Sequence, residues 1–459
     1  MSKDSTKNTK ENFGSKLGFI LAAAGSAVGL GNIWRFPYLA AKDGGGIFLL
    51  VYIILAITFG FSLMITEISI GRKTGKTVIT AYKSIDKKFG FLGPIAAVVP
   101  FIITPYYCVI GGWVLRYFVQ FVSGKGVEAA NDGFFSNFIG GFGSPVAFFV
   151  IYAVLTAAVV IFGVQKGIEK ISKIMMPALI VLTIGIAVYT MTIPGALDGV
   201  KYYILPNFKG FTFKQLLLTI VDAMGQLFYS MSLAMGIMVT YGSYMRKEDS
   251  LEGSVRQIEV FDTAVAFLAG LIIIPGVFAF SGGDPSALNA GPSLMFITLP
   301  QVFKSMFGGQ IVGSLFFLLV TLAALTSSIS LLETMVSIVS EKFKLNRYIS
   351  TAICVGFVFV IGMTSVLGYG IWSDVTIFGY QFLDFYDFIS NNVIMPIVAL
   401  LTCILIGYFA KTKWVEDEVE GNSRKFGAKG LYRVMVLVVC PICMIIILLT
   451  PLITKFLEG

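Results

Sequence analysis

The chain contains 459 residues, of which 56% are hydrophobic and only 13% are charged. Soluble domains average roughly 45–50% apolar and about 25% charged residues, so this composition excludes an ordinary soluble globular protein. The net charge is +8 and there is no histidine, which excludes a histidine-based catalytic triad and a histidine-ligated metal site built by this chain alone.

Eleven apolar stretches follow one another along the chain. Each is long enough to cross the roughly 30 Å hydrocarbon core of a bilayer as a helix, so we predict an all-α, polytopic membrane protein. The predicted spans are 17–40, 45–71, 92–123, 145–163, 167–190, 215–243, 258–281, 307–340, 348–368, 383–410 and 431–455.

The basic residues predict how the chain crosses the membrane. They concentrate in the N-terminal tail and in every second loop, and the opposite loops hold only Lys125, Lys201, Lys209, Lys214 and Lys304. By the positive-inside rule the N-terminus is cytoplasmic and the C-terminus is outside. The polar start of the chain has no cleavage site after the first apolar run, so we expect a tail of a multi-pass protein of the inner (plasma) membrane rather than a signal peptide.

Spans 1 and 6 are both interrupted by residues that weaken a helix. These residues are Gly25, Gly29, Gly31 and Pro37 in span 1, and Gly225, Ser230, Ser232 and Gly236 in span 6. The spacing of Gly25 and Gly29 also fits close packing of intact helices. The recurrence of the interruption five spans later favours an inverted repeat whose discontinuous helices surround a central site.

Charged residues inside membrane spans are costly and are therefore functional candidates. Arg35, Asp262 and Asp387 lie inside spans 1, 7 and 10. Glu67 and Glu333 lie near the cytoplasmic ends of their spans, where solvation explains them about as well as function does.

Two further patterns have a structural alternative. Thr326 and Ser327 in span 8 can bond to the preceding helical turn, but beside a glycine-interrupted helix they supply the oxygen ligands that a hard cation prefers. Cys440 and Cys443 form a C-x-x-C pair inside an apolar span, which we interpret as buried packing.

Four segments together resemble the neurotransmitter:sodium symporter family: GSAVGLGNIWRFPYLA in span 1, GQLFYSMSLAMG in span 6, LTSSIS in span 8 and FLDFYDF in span 10. The resemblance runs from about Lys10 through span 10. It implies the leucine-transporter fold, in which two inverted repeats of five helices pair and helices 1 and 6 are unwound. The implied organisation is a cytoplasmic tail (1–16), a first repeat (17–190), an outer loop (191–214), a second repeat (215–410), a cytoplasmic linker (411–430) and helix 11 (431–459).

The resemblance implies two sodium sites. The first would use the carbonyl of Ala27, the side chains of Asn32, Ser230 and Asp262, and the carboxylate of the substrate. The second would use the carbonyls of Gly25, Val28 and Ala323 and the hydroxyls of Thr326 and Ser327. Because the substrate itself is a ligand of the first site, sodium and substrate would stabilise each other's binding.

Asp262 stands where a bacterial member of the family has a neutral asparagine. In chloride-dependent animal relatives an anion lies close by, among positions that match Tyr52, Gln226, Ser230 and Ala266. A fixed carboxylate beside sodium supplies the charge that chloride would bring, so we predict chloride independence.

The resemblance also implies a substrate pocket. Its carboxylate contacts would be the amides of Gly29–Gly31 and the Tyr107 hydroxyl, and its ammonium contacts the carbonyls of Ala27, Tyr229, Ser230 and Ser232. Its side-chain lining would be Ile103, Tyr229, Met235 and Leu331, a set too apolar to host a charged group cheaply. Gly29 stands where amine transporters have an aspartate, and Met235 replaces a phenylalanine, so we expect large aliphatic and aromatic amino acids.

Gate residues follow from the same resemblance. Arg35 and Asp387 match an outer gate pair. Lys10, Phe13, Tyr244 and Glu341 match an inner gate network, in which three of the four residue types differ from those of other members. Gly167 and Pro177 match a spacing linked to unwinding of helix 5, although an ordinary helix start and kink explains them too.

We therefore predict a sodium-coupled, chloride-independent symporter that imports hydrophobic amino acids by alternating access. The alternative is an amino-acid-gated channel or sensor on the same scaffold. We expect no enzyme activity, no nucleic-acid partner, the lipid bilayer as surroundings and sodium as the coupling ion at two sites. The sequence does not predict an oligomeric state.

Overall fold

The computed structural model describes residues 12–283, 288 and 292–458. This part of the chain is nearly all helical, with two isolated β-bridges and no strand. Nine of its helices are long and apolar enough to cross a membrane. We number them with the two broken helices in chain order: α2 (Gly46–Thr74), α3 (Lys87–Val122), α4 (Gly143–Val160), α5 (Val164–Met191), α7 (Leu251–Ser281), α8 (Gly309–Phe343), α9 (Arg347–Tyr369), α10 (Phe382–Phe409) and α11 (Lys429–Thr450).

The remaining two predicted spans are broken helices. Helix α1 consists of Lys16–Ala27 and Gly31–Lys42, which meet at an angle of 54°. Helix α6 consists of Phe213–Ser230 and Ile237–Gly242. Helices therefore occupy all eleven predicted spans, and the predicted interruption of spans 1 and 6 is confirmed.

The break in α6 follows from its backbone conformation. Ser232, Ala234 and Gly236 have φ angles of 54°, 57° and 74°, in the left-handed region that a right-handed helix cannot contain. Strain at two residues other than glycine costs on the order of 1–3 kcal/mol each and persists only where the surroundings hold it. Such strain is concentrated at functional sites.

Shorter helices lie in the connections. Ala196–Ile204 lies within the predicted outer loop, and Lys413–Val419 lies within the predicted polar linker. We call the end of the bundle that carries residues 12–18 the inner end and the opposite end the outer end.

Close helix packing places the broken segments at the centre. The inner half of α1 packs against α5, α7 and α8, and α8 also packs along α3. The inner half of α6 lies so close to α2 that a Cβ on Gly71 would overlap the backbone oxygen of Val239, and a Cβ on Gly242 would overlap that of Ile68. Small residues allow two backbones to approach this closely. The contact holds the short second half of α6 against α2.

Candidate functional site

A small cavity, with about 20 Å³ of space open to a water-sized sphere, lies between the two helix breaks and helices α3 and α8. All ten residues that the sequence analysis assigned to the substrate line this one cavity: Ala27, Gly29, Gly31, Ile103, Tyr107, Tyr229, Ser230, Ser232, Met235 and Leu331. Asn32 and Ser327, assigned to sodium, line it as well. Sequence reasoning missed Ser26 and Ile237, which lie within two positions of the assigned residues Ala27 and Met235.

Two glycines of α1 bring its backbone against the cavity wall. A Cβ on Gly29 would lie 2.6 Å from the Ser327 hydroxyl oxygen, and one on Gly31 would lie 2.8 Å from the Tyr229 ring. The Tyr107 hydroxyl accepts a hydrogen bond from the Leu30 amide at 3.4 Å. The backbone of α1 therefore forms one side of the cavity, where only glycine fits at positions 29 and 31.

Part of the cavity lining is apolar. Ile103, Met235 and Leu331 are all buried there. The lining residues include no charged side chain. A ligand with an apolar side chain and a polar end matches this division, because unpaired polar groups are costly to bury.

The Asp262 carboxylate is fully buried beside the cavity. It accepts hydrogen bonds from Asn32 Nδ2 at 2.7 Å, from the Ser230 hydroxyl at 2.8 Å and from the Tyr52 hydroxyl at 3.3 Å. Asn32 Oδ1 accepts from the Gly29 amide at 3.0 Å. The side chains predicted for the first sodium site thus lie together and provide carboxylate, amide and hydroxyl oxygens, which suit a hard cation.

The residues predicted for the second sodium site also converge. The Ser327 hydroxyl oxygen lies 3.4 Å from the carbonyl oxygen of Gly25 and 3.2 Å from that of Val28. Thr326 Oγ1 lies 3.0 Å from the Ala323 carbonyl oxygen, and a Cβ on Gly25 would lie 3.2 Å from Thr326 Cβ.

This second cluster has more acceptors than donors. The carbonyl of Ser26, which sequence reasoning missed, also lies 3.1 Å from Ser327 Oγ. The Ser232 hydroxyl also donates to the Ser26 carbonyl at 3.0 Å, but the single hydrogen of Ser327 cannot satisfy the carbonyls of both Gly25 and Val28. A cation bound by oxygen would satisfy the surplus, so the residues present fit sodium.

Most residues at the positions that match the anion site of animal relatives already form hydrogen bonds to other protein groups. Tyr52 and Ser230 both donate to Asp262, and Ala266 is buried without a hydroxyl. Gln226 Nε2 donates to the Gly31 carbonyl at 2.9 Å. The carboxylate therefore takes two of the donors that an anion would need.

Comparison with known proteins decides the family. Residues 10–126 and 134–457 match the family model described as the sodium:neurotransmitter symporter family. The chain belongs to this family. Family members and relatives are transporters, so this multi-pass membrane protein is a sodium-dependent transporter and not an enzyme.

Several relatives resemble the symporter over most of its length. A protein named sodium-dependent transporter YhdH, from Bacillus subtilis, is 38% identical over 85% of this chain and 86% of its own. A sodium-dependent transporter from Haemophilus influenzae is 33% identical over 92% and 94%. The crystal structure of MhsT in complex with L-phenylalanine has a TM-score of 0.85 at 35% identity, over 96% of this chain and 99% of that one. The symporter thus has the fold of MhsT.

The predicted outer gate residues of the symporter do not touch. Within the described residues, Arg35 and Asp387 form no ion pair within 4.0 Å. The Arg35 guanidinium carbon lies 5.9 Å from the centre of the Tyr229 ring. Asp387 Oδ1 accepts from the Tyr106 hydroxyl at 3.1 Å and from Asn391 Nδ2 at 2.7 Å. Tyr106 and Asn391 are partners that sequence reasoning missed.

The inner end brings together some of the predicted gate residues. The buried Phe13 ring packs edge-on against Tyr244, and the Phe13 amide donates to the Tyr244 carbonyl at 3.0 Å. Lys10 lies outside the described residues. Glu341 lies elsewhere, where it accepts from the Thr77 amide at 2.8 Å and from the Thr80 hydroxyl.

Glu333 is the acid that Tyr244 contacts. The Tyr244 hydroxyl donates to Glu333 Oε1 at 2.8 Å, and Arg347 forms an ion pair with the same carboxylate. Glu333 is fully buried and Glu67, which accepts from the Ala234 amide at 2.6 Å, is nearly so. The solvated interpretation of both acids is therefore wrong.

Gly167 and Pro177 lie on α5 as expected, but α5 is helical at both. Gly167 belongs to a wide helical turn, Val164–Glu169, where a Cβ would overlap the Val159 carbonyl oxygen. Pro177 lies inside the continuous helix Lys170–Met191. Near them, Glu169 accepts from the Gly14 amide at 2.6 Å and from the Ser15 hydroxyl at 2.8 Å, so the N-terminal segment is attached to the inner end of α5.

Proposed function

We propose that the protein imports hydrophobic amino acids by sodium-coupled, chloride-independent symport with alternating access. One observation carries this proposal: the cavity and both candidate sodium sites are built around the same backbone break in α1. The break in α1 lines the cavity, and the residues around it belong to both candidate sodium sites, with Asn32 and Ser327 facing the cavity as well. An ion bound at either site would therefore shape the cavity, which is the physical requirement for coupling.

The chemistry of the cavity supports an α-amino acid. The amides of Gly29–Gly31 and the Tyr107 hydroxyl would bind the carboxylate, which would complete the first sodium site. The carbonyls of Ala27, Tyr229, Ser230 and Ser232 would bind the ammonium group. Ile103, Met235 and Leu331 favour large apolar side chains, and the complex of MhsT with L-phenylalanine is consistent with this choice.

Chloride independence rests on Asp262. Its carboxylate supplies a fixed negative charge beside the first sodium site and already binds Tyr52 and Ser230. A taurine transporter from Bos taurus, 26% identical over 90% of this chain, is named sodium- and chloride-dependent. We propose that the charge of Asp262 replaces the anion in this protein.

The arrangement in the membrane is part of the same proposal. The two repeats would span 17–190 and 215–410, followed by the linker 411–430 and helix 11 at 431–459. The distribution of basic residues places the N-terminus in the cytoplasm and the C-terminus outside the cell membrane. Arg35 and Asp387 would approach each other when the outer end closes, and the contacts of Phe13 and Tyr244 would separate when the inner end opens.

Uptake into proteoliposomes tests the proposal. An inward sodium gradient, with gluconate replacing chloride, should drive accumulation of phenylalanine, tryptophan or leucine above the external concentration. A potassium gradient and the substrates glutamate, GABA and serotonin are the controls. Flux that is independent of sodium and only equilibrates would instead indicate a channel and would refute both sodium sites.

A further inference from the structure

The linker between α10 and α11 is folded onto the inner end of the bundle. It contains the helix Lys413–Val419 and a short turn, Gly421–Ser423. On one side it is attached to α11. Arg433 donates from Nε and Nη2 to the two oxygens of Glu416, both at 2.7 Å, and Lys429 lies 3.3 Å from the same carboxylate. We call residues 411–430 the inner strap.

The other side of the inner strap is attached to the end of α2. Arg72 Nε pairs with Glu418 Oε1 at 2.7 Å, and Arg72 Nη2 donates to the Glu418 carbonyl at 2.5 Å. The Lys73 ammonium donates to the Trp414 carbonyl at 2.6 Å and lies 4.4 Å from the centre of the Trp414 ring. The same short helix therefore joins α11 to α2.

The strap also holds the loop between α6 and α7. Arg424 Nη1 donates to the Asp249 carbonyl at 2.6 Å, and Arg72 Nη1 donates to the same carbonyl at 2.9 Å. Arg424 Nη2 donates to the Glu248 carbonyl, and Lys247 pairs with Glu418 at 2.8 Å. Charge-assisted hydrogen bonds of this kind are stronger than neutral ones. They fix the backbone of the loop and not merely its side chains.

The held loop directly follows the inner half of α6. This half is only Ile237–Gly242. It packs against α2 and is cut off from the outer half by the break, so the loop is its covalent connection at the inner end. The loop contains Tyr244, whose ring and hydroxyl contact Phe13 and Glu333. Phe13 and Tyr244 are both buried, so these contacts close the inner end. A more mobile loop would therefore weaken the contacts of Tyr244 with Phe13 and Glu333.

We propose that the inner strap holds loop 243–250 in its inner-closed position, with Glu418 and Arg424 as positioning residues that must release the loop before the inner end opens. This inference rests on the alternating-access function proposed above. The linker would then help to set the fraction of molecules whose inner end is closed.

Hydrogen–deuterium exchange of the full chain in lipid nanodiscs tests the proposal without transport. Arg424→Gln and Glu418→Gln should exchange the amides of residues 243–250 about fivefold faster than the unmodified chain, because local opening becomes more populated. The matched controls Lys425→Gln and Asp417→Asn remove the same charges from exposed neighbours and should exchange as the unmodified chain does. Equal rates in the test and control variants would overturn the proposal.

Sodium dependence gives a second readout that a merely structural role would not move. A protein that is less often closed at the inner end binds external sodium with a reduced apparent affinity. Arg424→Gln should therefore raise the half-saturating sodium concentration about fivefold while saturating sodium restores the maximal uptake rate. A loss of maximal rate with unchanged sodium dependence would contradict the proposal. If the unmodified chain accumulates no amino acid, the proposed function fails, but the exchange rates still decide the role of the strap. Glu418→Gln provides the same test if Arg424→Gln does not fold.

Discussion

At the scale of single residues, the site depends on glycine, because the missing Cβ leaves room for neighbouring side chains. Gly29 has no Cβ, and this brings its backbone to the Ser327 hydroxyl. An aspartate at this position would place its side chain where Ser327 and Tyr107 already lie. The geometry therefore leaves no room for an acidic side chain at Gly29, which supports our proposal that the ligand itself brings the negative charge.

Gly29→Ala tests this close approach. The added methyl group would overpack the wall by an amount that typically costs about 1–3 kcal/mol, so we expect kcat/KM for uptake to fall roughly 5- to 150-fold. Gly185→Ala is the control, because a Cβ there meets no atom within 4 Å. Normal uptake by Gly29→Ala would show that the backbone of α1 does not contact the transported ligand.

Asp262→Asn tests the fixed charge. Loss of the carboxylate should lower uptake in chloride-free medium at least about tenfold, because hydrogen bonds to a charged group are worth about 1.5–3 kcal/mol. Sodium-dependent uptake with and without chloride is the measurement, and Asp132→Asn, at an exposed position, is the control. Full chloride-free activity in Asp262→Asn would contradict our account of this residue.

At the scale of elements, the short helix of the linker is held by polar contacts rather than by its own length. Helices shorter than about 12–15 residues are marginal by themselves. The helix Lys413–Val419 has only 7 residues, and its Glu416 is buried against Arg433 and Lys429. The hydrogen bonds from Arg433 lower the pKa of Glu416 to about 2.

The lowered pKa of Glu416 predicts how the stability of the protein depends on pH. A carboxyl whose pKa is lower in the folded state than in the unfolded chain stabilises the folded state at pH values above the unfolded pKa of about 4.3. That contribution is lost as the pH falls through about 2. Glu416→Gln should lower the free energy of unfolding by about 1.5–3 kcal/mol at pH 7, and the difference from the unmodified chain should shrink progressively below about pH 4.

Thermal unfolding at several pH values measures this difference. Asp417→Asn, on the exposed side of the same helix, should show no loss at pH 7. A difference for Glu416→Gln that stays constant from pH 7 to pH 3 would show that the ion pair does not cause it.

At the scale of the whole molecule, the two candidate sodium sites and the cavity form one unit around the breaks of α1 and α6. Two sodium ions and one zwitterion would carry two positive charges inward. A potential of 100 mV, negative inside, adds about 2.3 kcal/mol for each uncompensated charge. The molecule would then use the membrane potential as well as the sodium gradient.

We therefore expect electrogenic uptake. Proteoliposomes that contain potassium and valinomycin, and so become negative inside, should accumulate more phenylalanine than liposomes clamped at zero potential. Equal accumulation at both potentials would contradict net charge movement. The comparison uses identical sodium gradients, so only the potential differs.

The fold and most of the candidate site could be predicted from the sequence because their signals are local. Hydropathy locates the spans, and glycine and serine mark the breaks. The resemblance that segments near those breaks carry implies ten substrate positions, including Ile103 and Tyr107 in span 3, and the structure gathers all ten around one cavity. The partners of charged side chains are different, because each contact joins residues far apart in the chain.

The sequence by itself thus determined the membrane class, the broken helices and the family resemblance, since these depend on composition and on short stretches of chain. Only the tertiary structure decided that Tyr244 contacts Glu333 rather than Glu341, that Ser26 adds a carbonyl to the second cluster, and that the polar linker joins α2 to α11. The reason is physical. A long apolar segment is removed from water wherever it packs, so its sequence alone identifies it, whereas a buried carboxylate can be satisfied by any donor that the folded helices bring within reach.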